Sequence, residues 1–296
     1  MTTVAAACPG TCGELFQGTL EGIPCLVSCP IDRYARIRIT ARPGEGLSLP
    51  GEMSKTRRAL EAFLGRRFLG GKNLAVERME ALPEGKGYAS STADILSALA
   101  CAAFLAGTSL PPEEASAIAL SVEPTDSIAW PGLALLDHRE GRIMRFLGPP
   151  PPLSVFVLDW GGTVDTEEFN SRNSRPVLES LAPLHREAFS LVLRGVEQGD
   201  PEALGRGASL SARASARLLE KPRLDECFAL CSLLEGYGVC VAHSGTLYGI
   251  LLPSGAADRE DEILGTAARR LSPGWEGRMH SVVSGGPGRE ERKERP

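Results

Sequence analysis

Residues 82–94 read Leu82-Pro83-Glu84-Gly85-Lys86-Gly87-Tyr88-Ala89-Ser90-Ser91-Thr92-Ala93-Asp94 and lead into a nearly all-apolar stretch that ends at Leu105. The stretch 91–105 predicts a helix, and a helix that is apolar on every side is normally buried. Ser91, with Asp94 three residues later, resembles a capping box at the helix start. Glycines and hydroxyls at such a start suit a polyphosphate, because backbone N–H groups and the positive end of the helix dipole point there.

Two common nucleotide motifs do not describe this segment. A Walker A loop has Lys directly after its second glycine, and here Tyr88 follows Gly87. A dinucleotide fingerprint would be followed by a βαβ unit and a ribose-binding acid. The residues themselves fit a phosphate site and an ordinary glycine turn before a helix cap about equally well. As a phosphate site, the segment would offer the Ser90 and Ser91 hydroxyls to the magnesium that accompanies a nucleotide.

Two carboxylates stand close together in the segment Val122-Glu123-Pro124-Thr125-Asp126-Ser127, where a predicted helix is broken by proline. One carboxylate on a metal and another beside an accepting hydroxyl suits phosphoryl transfer, which depends mainly on positioning and charge neutralisation. Without other information, the segment also fits a solvated acidic turn.

Two further glycine-containing segments lie near the two ends of the chain. Polar groups on a glycine-rich loop can line a small-molecule site, and the loop at 8–18 carries Thr11, Glu14 and Gln17. The segment Ala242-His243-Ser244-Gly245-Thr246 separates two apolar strands and by itself fits a hairpin turn. The other histidines show no spacing typical of a catalytic triad or a metal site; they are His138, His185 and His280.

The order of the predicted elements divides the chain into two domains. Apolar and polar residues alternate over 34–41, as in a half-buried strand, and the stiff segment Gly148–Pro152 is the predicted junction. Beyond it, strands at 154–160, 238–242, 247–252 and 280–284 alternate with helices in the order of a ferredoxin-like split βαβ unit. We expect an α+β fold with domains at 1–150 and 151–288 and a charged, frayed tail at 289–296.

Composition narrows the class of protein. Two domains also follow from the length of 296 residues, at a prior of about 150 residues per domain. The net charge of −5 argues against nucleic acid and anionic membranes as partners. No apolar run reaches the roughly 18 residues of a membrane span, and the first residues do not resemble a secretory signal, so we expect a cytoplasmic protein.

The eight cysteines predict buried or loop thiols rather than disulfides in such a compartment. Cys227 and Cys231 lie one turn apart on an apolar stretch, which is typical of core packing. A thiolate metal site is the alternative, although the spacing differs from zinc knuckles; its candidate ligands are Cys8, Cys12, Cys25 and Cys29.

Taken together, these segments resemble the GHMP kinases, the superfamily of galactokinase, homoserine kinase and mevalonate kinase. The segment from Pro83 to Ala93 is similar to its phosphate-binding motif, with Tyr88-Ala89 where Leu-Gly or Leu-Ala is more usual. The turn at 243–246 is similar to its carboxy-terminal glycine motif, but lacks that motif's second glycine.

Within the superfamily, the segments at 8–18, 85–94, 123–127 and 164–170 resemble the L-threonine kinases of cobalamin biosynthesis and salvage. The resemblance implies a first domain of the ribosomal-S5 second-domain type, a ferredoxin-like second domain, and an active site between them. It also implies that ATP and L-threonine give ADP and O-phospho-L-threonine, a precursor of the aminopropanol linker of cobalamin.

The resemblance also implies roles for individual residues. Ser90 and Glu123 would hold Mg²⁺, and Asp126 would orient or deprotonate the threonine hydroxyl. The ATP phosphates would be held by Pro83, Gly85, Lys86, Gly87, Tyr88, Ala89, Ser90, Ser91 and Thr92. Threonine would be bound by Thr11, Glu14, Gln17, Asp165, Thr166, Asn170, Ser244 and Gly245. Two alternatives stay open at this point: a kinase for another small alcohol such as homoserine, and a ligand sensor that has lost phosphoryl transfer.

Overall fold

A computed structural model describes residues 1–65, 71–162 and 175–290. Its framework is a long antiparallel hairpin of strands β1 (Thr2–Leu20) and β2 (Ile23–Pro43), joined by a turn in which Glu21 and Gly22 have positive φ. The predicted alternation is confirmed, because Ala35, Ile37, Ile39 and Ala41 are all buried.

The first half of the chain builds a sheet covered by helices. Strands β3 (Gly46–Ser48) and β4 (Lys72–Glu80) extend the hairpin in the order β1-β2-β4-β3. Helices α1 (Ser54–Leu64), α2 (Ser90–Leu105) and α3 (Pro112–Leu120) share a hydrophobic core with this sheet. As predicted, α2 is buried along nearly its whole length.

The start of α2 differs from the predicted capping box. Ala89, in the left-handed region at φ 56°, precedes the first helical residue, and no side chain caps the helix. The Asp94 carboxylate instead forms an ion pair with the Arg78 guanidinium of β4, with Oδ2 and Nη2 2.8 Å apart. The capping-box interpretation was therefore wrong, because a cross-element ion pair takes the Asp94 carboxylate.

The second half has the predicted ferredoxin-like order. Strand β7 (Leu153–Asp159) is followed by helices α4 (Arg175–Gln198), α5 (Pro201–Ser215) and α6 (Leu224–Leu233), then β8 (Gly238–Val241), β9 (Leu247–Pro253), α7 (Glu260–Arg270) and β10 (Glu276–Ser281). These strands are ordered β10-β7-β9-β8, so the first strand of the unit lies between the fourth and the third. The split βαβ prediction is confirmed.

The two halves are joined through β1. Glu14 of β1 pairs with Val241 of β8, so one sheet runs through both halves. A short hairpin of β5 (Leu133–Leu136) and β6 (Met144–Gly148) pairs with β2 through Leu26 and ends just before the proline-rich junction. The division at residue 150 stays a prediction.

The end of the chain corrects another expectation. Strand β11 (Gly288–Glu290) pairs with β1, and the Arg289 guanidinium lies 4.7 Å from the centre of the Phe104 ring. The predicted frayed tail is therefore wrong for Arg289 and Glu290. Both pair with β1, and the cation–π contact also holds Arg289. Residues 291–296 lie outside the described residues.

All eight cysteines are buried and free, which confirms the expected buried thiols. Within the described ranges, none of the helices combines the length and hydropathy needed to cross a membrane.

Candidate active site

A cavity of about 350 Å³ opens where the start of α2 meets the segment after α3 and the turn after β8. It brings together residues from all four of the predicted segments at 8–18, 82–94, 122–127 and 242–246. Its lining residues include Glu14, Lys55, Gly85, Gly87, Tyr88, Ala89, Ser90, Ser91, Thr92, Glu123, Asp126, His138, His243 and Ser244.

The glycine loop before α2 is shaped by close packing against the second half of the chain. Gly87 has φ 107°, and a Cβ at this position would lie 2.3 Å from the Ala242 Cβ. A Cβ on Gly245 would lie 2.0 Å from the Lys86 carbonyl oxygen. That oxygen accepts hydrogen bonds from the backbone N–H of Thr246 at 2.8 Å and of Leu247 at 3.2 Å. The 242–246 turn therefore supports the loop.

Two buried or partly buried cations hold this junction together. The Lys86 ammonium pairs with Asp159 at 2.9 Å, and Asp159 also accepts the Thr246 hydroxyl at 3.2 Å. The Lys221 ammonium donates to the carbonyl oxygens of Ala242 at 2.8 Å and Gly245 at 2.9 Å. Burial lowers the pKa of Lys221 to about 8.

Most of the predicted phosphate-binding residues line the cavity, with two exceptions. Pro83 and Lys86 are not among its lining residues. The Lys86 ammonium is paired with Asp159 at the end of β7, and the assignment of Pro83 and Lys86 to phosphate binding stays a prediction. The backbone around Lys86 keeps its place in the loop.

A serine, a glutamate and a lysine meet at one wall of the cavity. The Ser91 hydroxyl donates to one carboxylate oxygen of Glu123, and the Lys55 ammonium donates to the other at 2.5 Å. The resemblance implies Ser90 and Glu123 as magnesium ligands, and this assignment stays a prediction. In the structure the Ser91 hydroxyl lies on Glu123, and Ser90 also lines the cavity.

Sequence analysis did not identify Lys55. It lies in the first turn of α1, where a cation is unfavourable against the helix dipole. That placement is visible in the sequence, and it indicates an anionic partner for Lys55, because a cation at a helix start is otherwise unfavourable. Glu123 is that partner, and the pairing brings α1 to the cavity.

Asp126 is held by hydrogen bonds beside the same wall. The Thr92 hydroxyl donates to Asp126 Oδ2 at 3.0 Å and accepts the Asp126 backbone N–H at 3.3 Å. The next residue is fixed too, because Ser127 and Ser28 exchange hydrogen bonds between backbone N–H groups and hydroxyls. Desolvation raises the pKa of Asp126 to about 6, a value suited to a base near neutral pH.

Glu14 lies on an irregular part of β1, with register shifts against β2 on both sides of it. Such bulges redirect side chains, often beside active sites. Glu14 is only 3% exposed, and its Oε2 has no hydrogen-bond partner among the described residues. Burial and the charge of Asp126 raise its pKa well above the usual value. Glu14 is thus an acceptor held in the cavity wall with unused capacity.

The other two polar residues of the 8–18 segment are anchored within the protein. The Thr11 hydroxyl donates to the Gly87 carbonyl oxygen at 2.9 Å. The Gln17 amide donates to the Val241 carbonyl at 3.2 Å, and its oxygen lies 2.8 Å from His243 Nδ1. Neither Thr11 nor Gln17 lines the cavity. Both position neighbouring residues, and the expectation that they bind threonine stays a prediction.

The remaining predicted threonine-binding residues divide into two groups. Ser244 lines the cavity, whereas Gly245 lies behind it against the glycine loop. Asp165, Thr166 and Asn170 lie outside the described residues, so their assignment stays a prediction.

Two histidines that sequence analysis left without a role face the same cavity. His138 follows β5 and His243 follows β8, and their ring centres are 5.0 Å apart in an edge-to-face arrangement. They are 105 positions apart in the chain (243 − 138). No local spacing could have related them, because the sheet that connects the two halves brings them together.

Comparisons with known proteins agree with this architecture. The profile described as "GHMP kinases N terminal domain" matches residues 54–129, and that described as "GHMP kinases C terminal" matches residues 192–266. The L-threonine kinase of Salmonella typhimurium is 34% identical over 250 residues, covering 83% of this chain and 82% of that protein. The L-threonine kinase of Citrobacter freundii is 31% identical over 282 residues, covering 95% of this chain and 98% of that protein.

Solved structures share the fold at much lower identity. A homoserine kinase from Cytophaga hutchinsonii superposes with a TM-score of 0.72 at 14% identity, and 98% of each chain is covered. Mevalonate kinase of L. major, in complex with R-mevalonate, superposes with a TM-score of 0.66 at 16% identity, and 96% of each chain is covered. The expected two-part α+β architecture is confirmed, and the chain belongs to the GHMP kinases, within the family of the L-threonine kinases.

Proposed function

We propose that the protein transfers the terminal phosphoryl group of ATP to the side-chain hydroxyl of L-threonine, giving O-phospho-L-threonine. The observation that carries the proposal is a single cavity that holds a glycine loop at a helix start, the Ser91–Glu123 pair, the half-buried Asp126 and the buried Glu14. The identity of 31–34% with L-threonine kinases over most of the chain supports threonine as the acceptor. The product would serve cobalamin biosynthesis or salvage in the cytoplasm, as an aminopropanol precursor.

The ATP phosphates are held by the loop at 85–91. The start of α2 presents backbone N–H groups and a positive dipole end to the cavity, and Gly85 and Gly87 leave room for a polyphosphate to approach. The contacts of Gly245 and Thr246 with Lys86 hold this loop in place before ATP binds. A preorganised loop avoids an ordering cost on binding.

The oxygen donors at Ser91 and Glu123 fit Mg²⁺. Mg²⁺ takes hard oxygen ligands and is commonly held by one or two protein carboxylates together with substrate phosphates. The Lys55 ammonium on Glu123 shows that this carboxylate already attracts a cation. We assign Glu123 and Ser91 as the protein ligands, with Ser90 next to them at the wall. When bound, Mg²⁺ would neutralise charge on the transferring phosphate.

Asp126 receives the acceptor hydroxyl. The Thr92 hydroxyl holds one carboxylate oxygen of Asp126, so the carboxylate has a fixed orientation at the cavity wall. With a pKa of about 6, it is ionised at neutral pH and can accept a hydrogen bond or the proton of the attacking hydroxyl. Glu14, whose buried Oε2 has no partner among the described residues, suits the ammonium of an amino acid, because a cation offsets the cost of burying a carboxylate.

The test is an ADP-release assay with Mg-ATP and each of L-threonine, L-serine, L-homoserine, mevalonate and galactose. The proposal expects the highest kcat/KM with L-threonine. A higher kcat/KM with L-homoserine, whose hydroxyl lies one methylene further from Cα, would change the proposed acceptor but not the type of reaction. ADP release with none of the acceptors, despite thermal stabilisation by Mg-ATP, would contradict the kinase proposal.

A further inference from the structure

His138 is a buried polar side chain whose hydrogen-bonding capacity is unused. It is only 5% exposed, and neither Nδ1 nor Nε2 has a hydrogen-bond partner among the described residues. Its ring lines the 350 Å³ cavity and also a smaller one of about 60 Å³ beside it. Buried polar groups in native proteins almost always have a partner, so an unpaired imidazole facing a cavity needs an explanation.

The backbone around His138 is rigid. Asp137, directly before it, accepts backbone N–H groups of Arg139, Glu140 and Arg142, each at 3.2 Å, together with the Arg142 side chain at 2.9 Å. The His138 carbonyl accepts the backbone N–H of Thr125, next to Asp126. The backbone of His138 is therefore tied to the acidic segment before any ligand arrives.

Burial keeps the His138 imidazole neutral. It lowers the pKa of His138 to about 4; the charge of Arg139 acts in the same direction, and that of Asp137 opposes it. The pKa of His243 lies well below its usual value because of burial, with His138, Lys221 and Arg139 adding to the effect. A neutral imidazole keeps one ring N–H, which can donate a hydrogen bond to an anion.

The acidic part of the cavity favours a cationic group of the ligand. Glu14 carries a buried Oε2 that has no partner among the described residues, and the charge of Asp126 acts on it. Within the described part of the chain, one cavity thus holds a carboxylate oxygen and an imidazole that lack hydrogen-bond partners. The ligand that satisfies both is a small zwitterion, with an ammonium for the first and a carboxylate for the second.

We propose that His138 binds the α-carboxylate of the amino-acid acceptor, while Glu14 takes its ammonium. The inference rests on the proposed function, because it takes the acceptor to be an α-amino acid. His138 then selects amino acids over alcohols that lack a carboxylate. His243, fixed through Nδ1 to Gln17, supports the His138 ring by edge-to-face packing.

The experiment measures kcat/KM with L-threonine and with L-threoninol, in which the carboxylate is replaced by a CH₂OH group. Three proteins are compared: wild type, His138→Leu and His138→Gln, the last of which keeps an N–H donor. His138→Leu is expected to lower kcat/KM for threonine by about 10- to 100-fold, the range of one hydrogen bond to a charged group. For threoninol the loss should be no more than about threefold, and the KM for ATP should stay unchanged. His138→Gln should recover part of the threonine activity.

A matched control is His280→Gln. His280 also has a buried Nε2 without a partner among the described residues, but it pairs with Asp32 through Nδ1 and does not line the cavity. His280→Gln should leave kcat/KM unchanged for both L-threonine and L-threoninol.

The outcomes separate the two proposals. Equal losses with threonine and threoninol in His138→Leu would overturn the role of His138, while wild-type turnover of threonine would uphold the proposed function. No threonine turnover by the wild-type protein would overturn the proposed function itself. If His138→Leu does not fold, His138→Phe, which keeps a ring but has no N–H donor, takes its place: a threonine-to-threoninol ratio equal to that of the wild type would contradict the proposal.

Discussion

The Asp126→Asn substitution separates a catalytic role from a structural one, because the two make opposite predictions about stability. Asparagine keeps the size of the side chain and an oxygen that can accept the Thr92 hydroxyl, which lies 3.0 Å away. It removes the charge that would receive the acceptor proton. We expect kcat to fall by about 10²- to 10⁴-fold, the usual contribution of a general base, and the KM for ATP to change little.

The stability effect follows from the pKa of Asp126. Desolvation raises it from 3.8 to about 6, so the folded protein binds a proton that the unfolded chain has released between these values. Stability therefore falls as pH rises from about 4 to about 6, and the full cost of the charge is present above that range. Two pKa units correspond to at most about 3 kcal/mol. Asp126→Asn should then be as stable as the wild type at pH 5 or slightly more so, and more stable at pH 8.

The assays are coupled ADP release at saturating ATP and thermal unfolding at pH 5 and pH 8. A variant that loses activity while its melting temperature at pH 8 stays equal or rises would support direct action on the acceptor. Near-normal kcat with threonine would refute the reasoning, as would a lost activity accompanied by a lower melting temperature at both pH values. In either case Asp126 would be a structural residue of the turn at Pro124.

Three further predictions concern the nucleotide end of the cavity. At 100 times its Kd, Mg-ATP should stabilise the wild type by about 2.7 kcal/mol, and Ser91→Ala should weaken this more than Ser90→Ala; equal effects in a thermal-shift titration would contradict the contact with Glu123. Glu123→Gln should raise the Mg²⁺ concentration for half-maximal activity, since it removes an anionic oxygen ligand; an unchanged Mg²⁺ titration would count against it. Gly245→Ala should weaken ATP binding or folding, because its Cβ would lie 2.0 Å from a backbone oxygen of the glycine loop, whereas Gly51→Ala, with open space around it, should do neither.

Local patterns predicted much of the fold. Alternation identified the buried face of β2, and the apolar run after Ser90 identified the buried helix α2, because both patterns reflect burial that each element imposes on its own residues. The order of elements after Leu153 was sufficient for the ferredoxin-like unit. The tail was misjudged because β11 pairs with a strand nearly 300 positions earlier in the chain, a contact that composition does not encode.

The candidate site was predicted less completely, for the same reason. The motifs at 85–92 and 123–126 were found, since glycines, hydroxyls and carboxylates are recognisable at short spacing. The hydrogen bond from Ser91 to Glu123 was not predicted, because it depends on how α2 packs against the segment after α3; the assignment of Ser90 as a magnesium ligand stays a prediction. His138 and Lys55 were missed, because each enters the cavity from a separate element through tertiary packing.

The most direct test of the central claim is phosphorus NMR of the purified protein incubated with Mg-ATP and L-threonine. The account predicts loss of the γ-phosphate signal of ATP and an equal gain of a phosphate-ester signal split into a doublet by the single β-hydrogen of threonine. The same experiment with L-homoserine, whose ester would give a triplet, should show much slower conversion. Release of inorganic phosphate only, or no change in the spectrum despite bound Mg-ATP, would contradict the account.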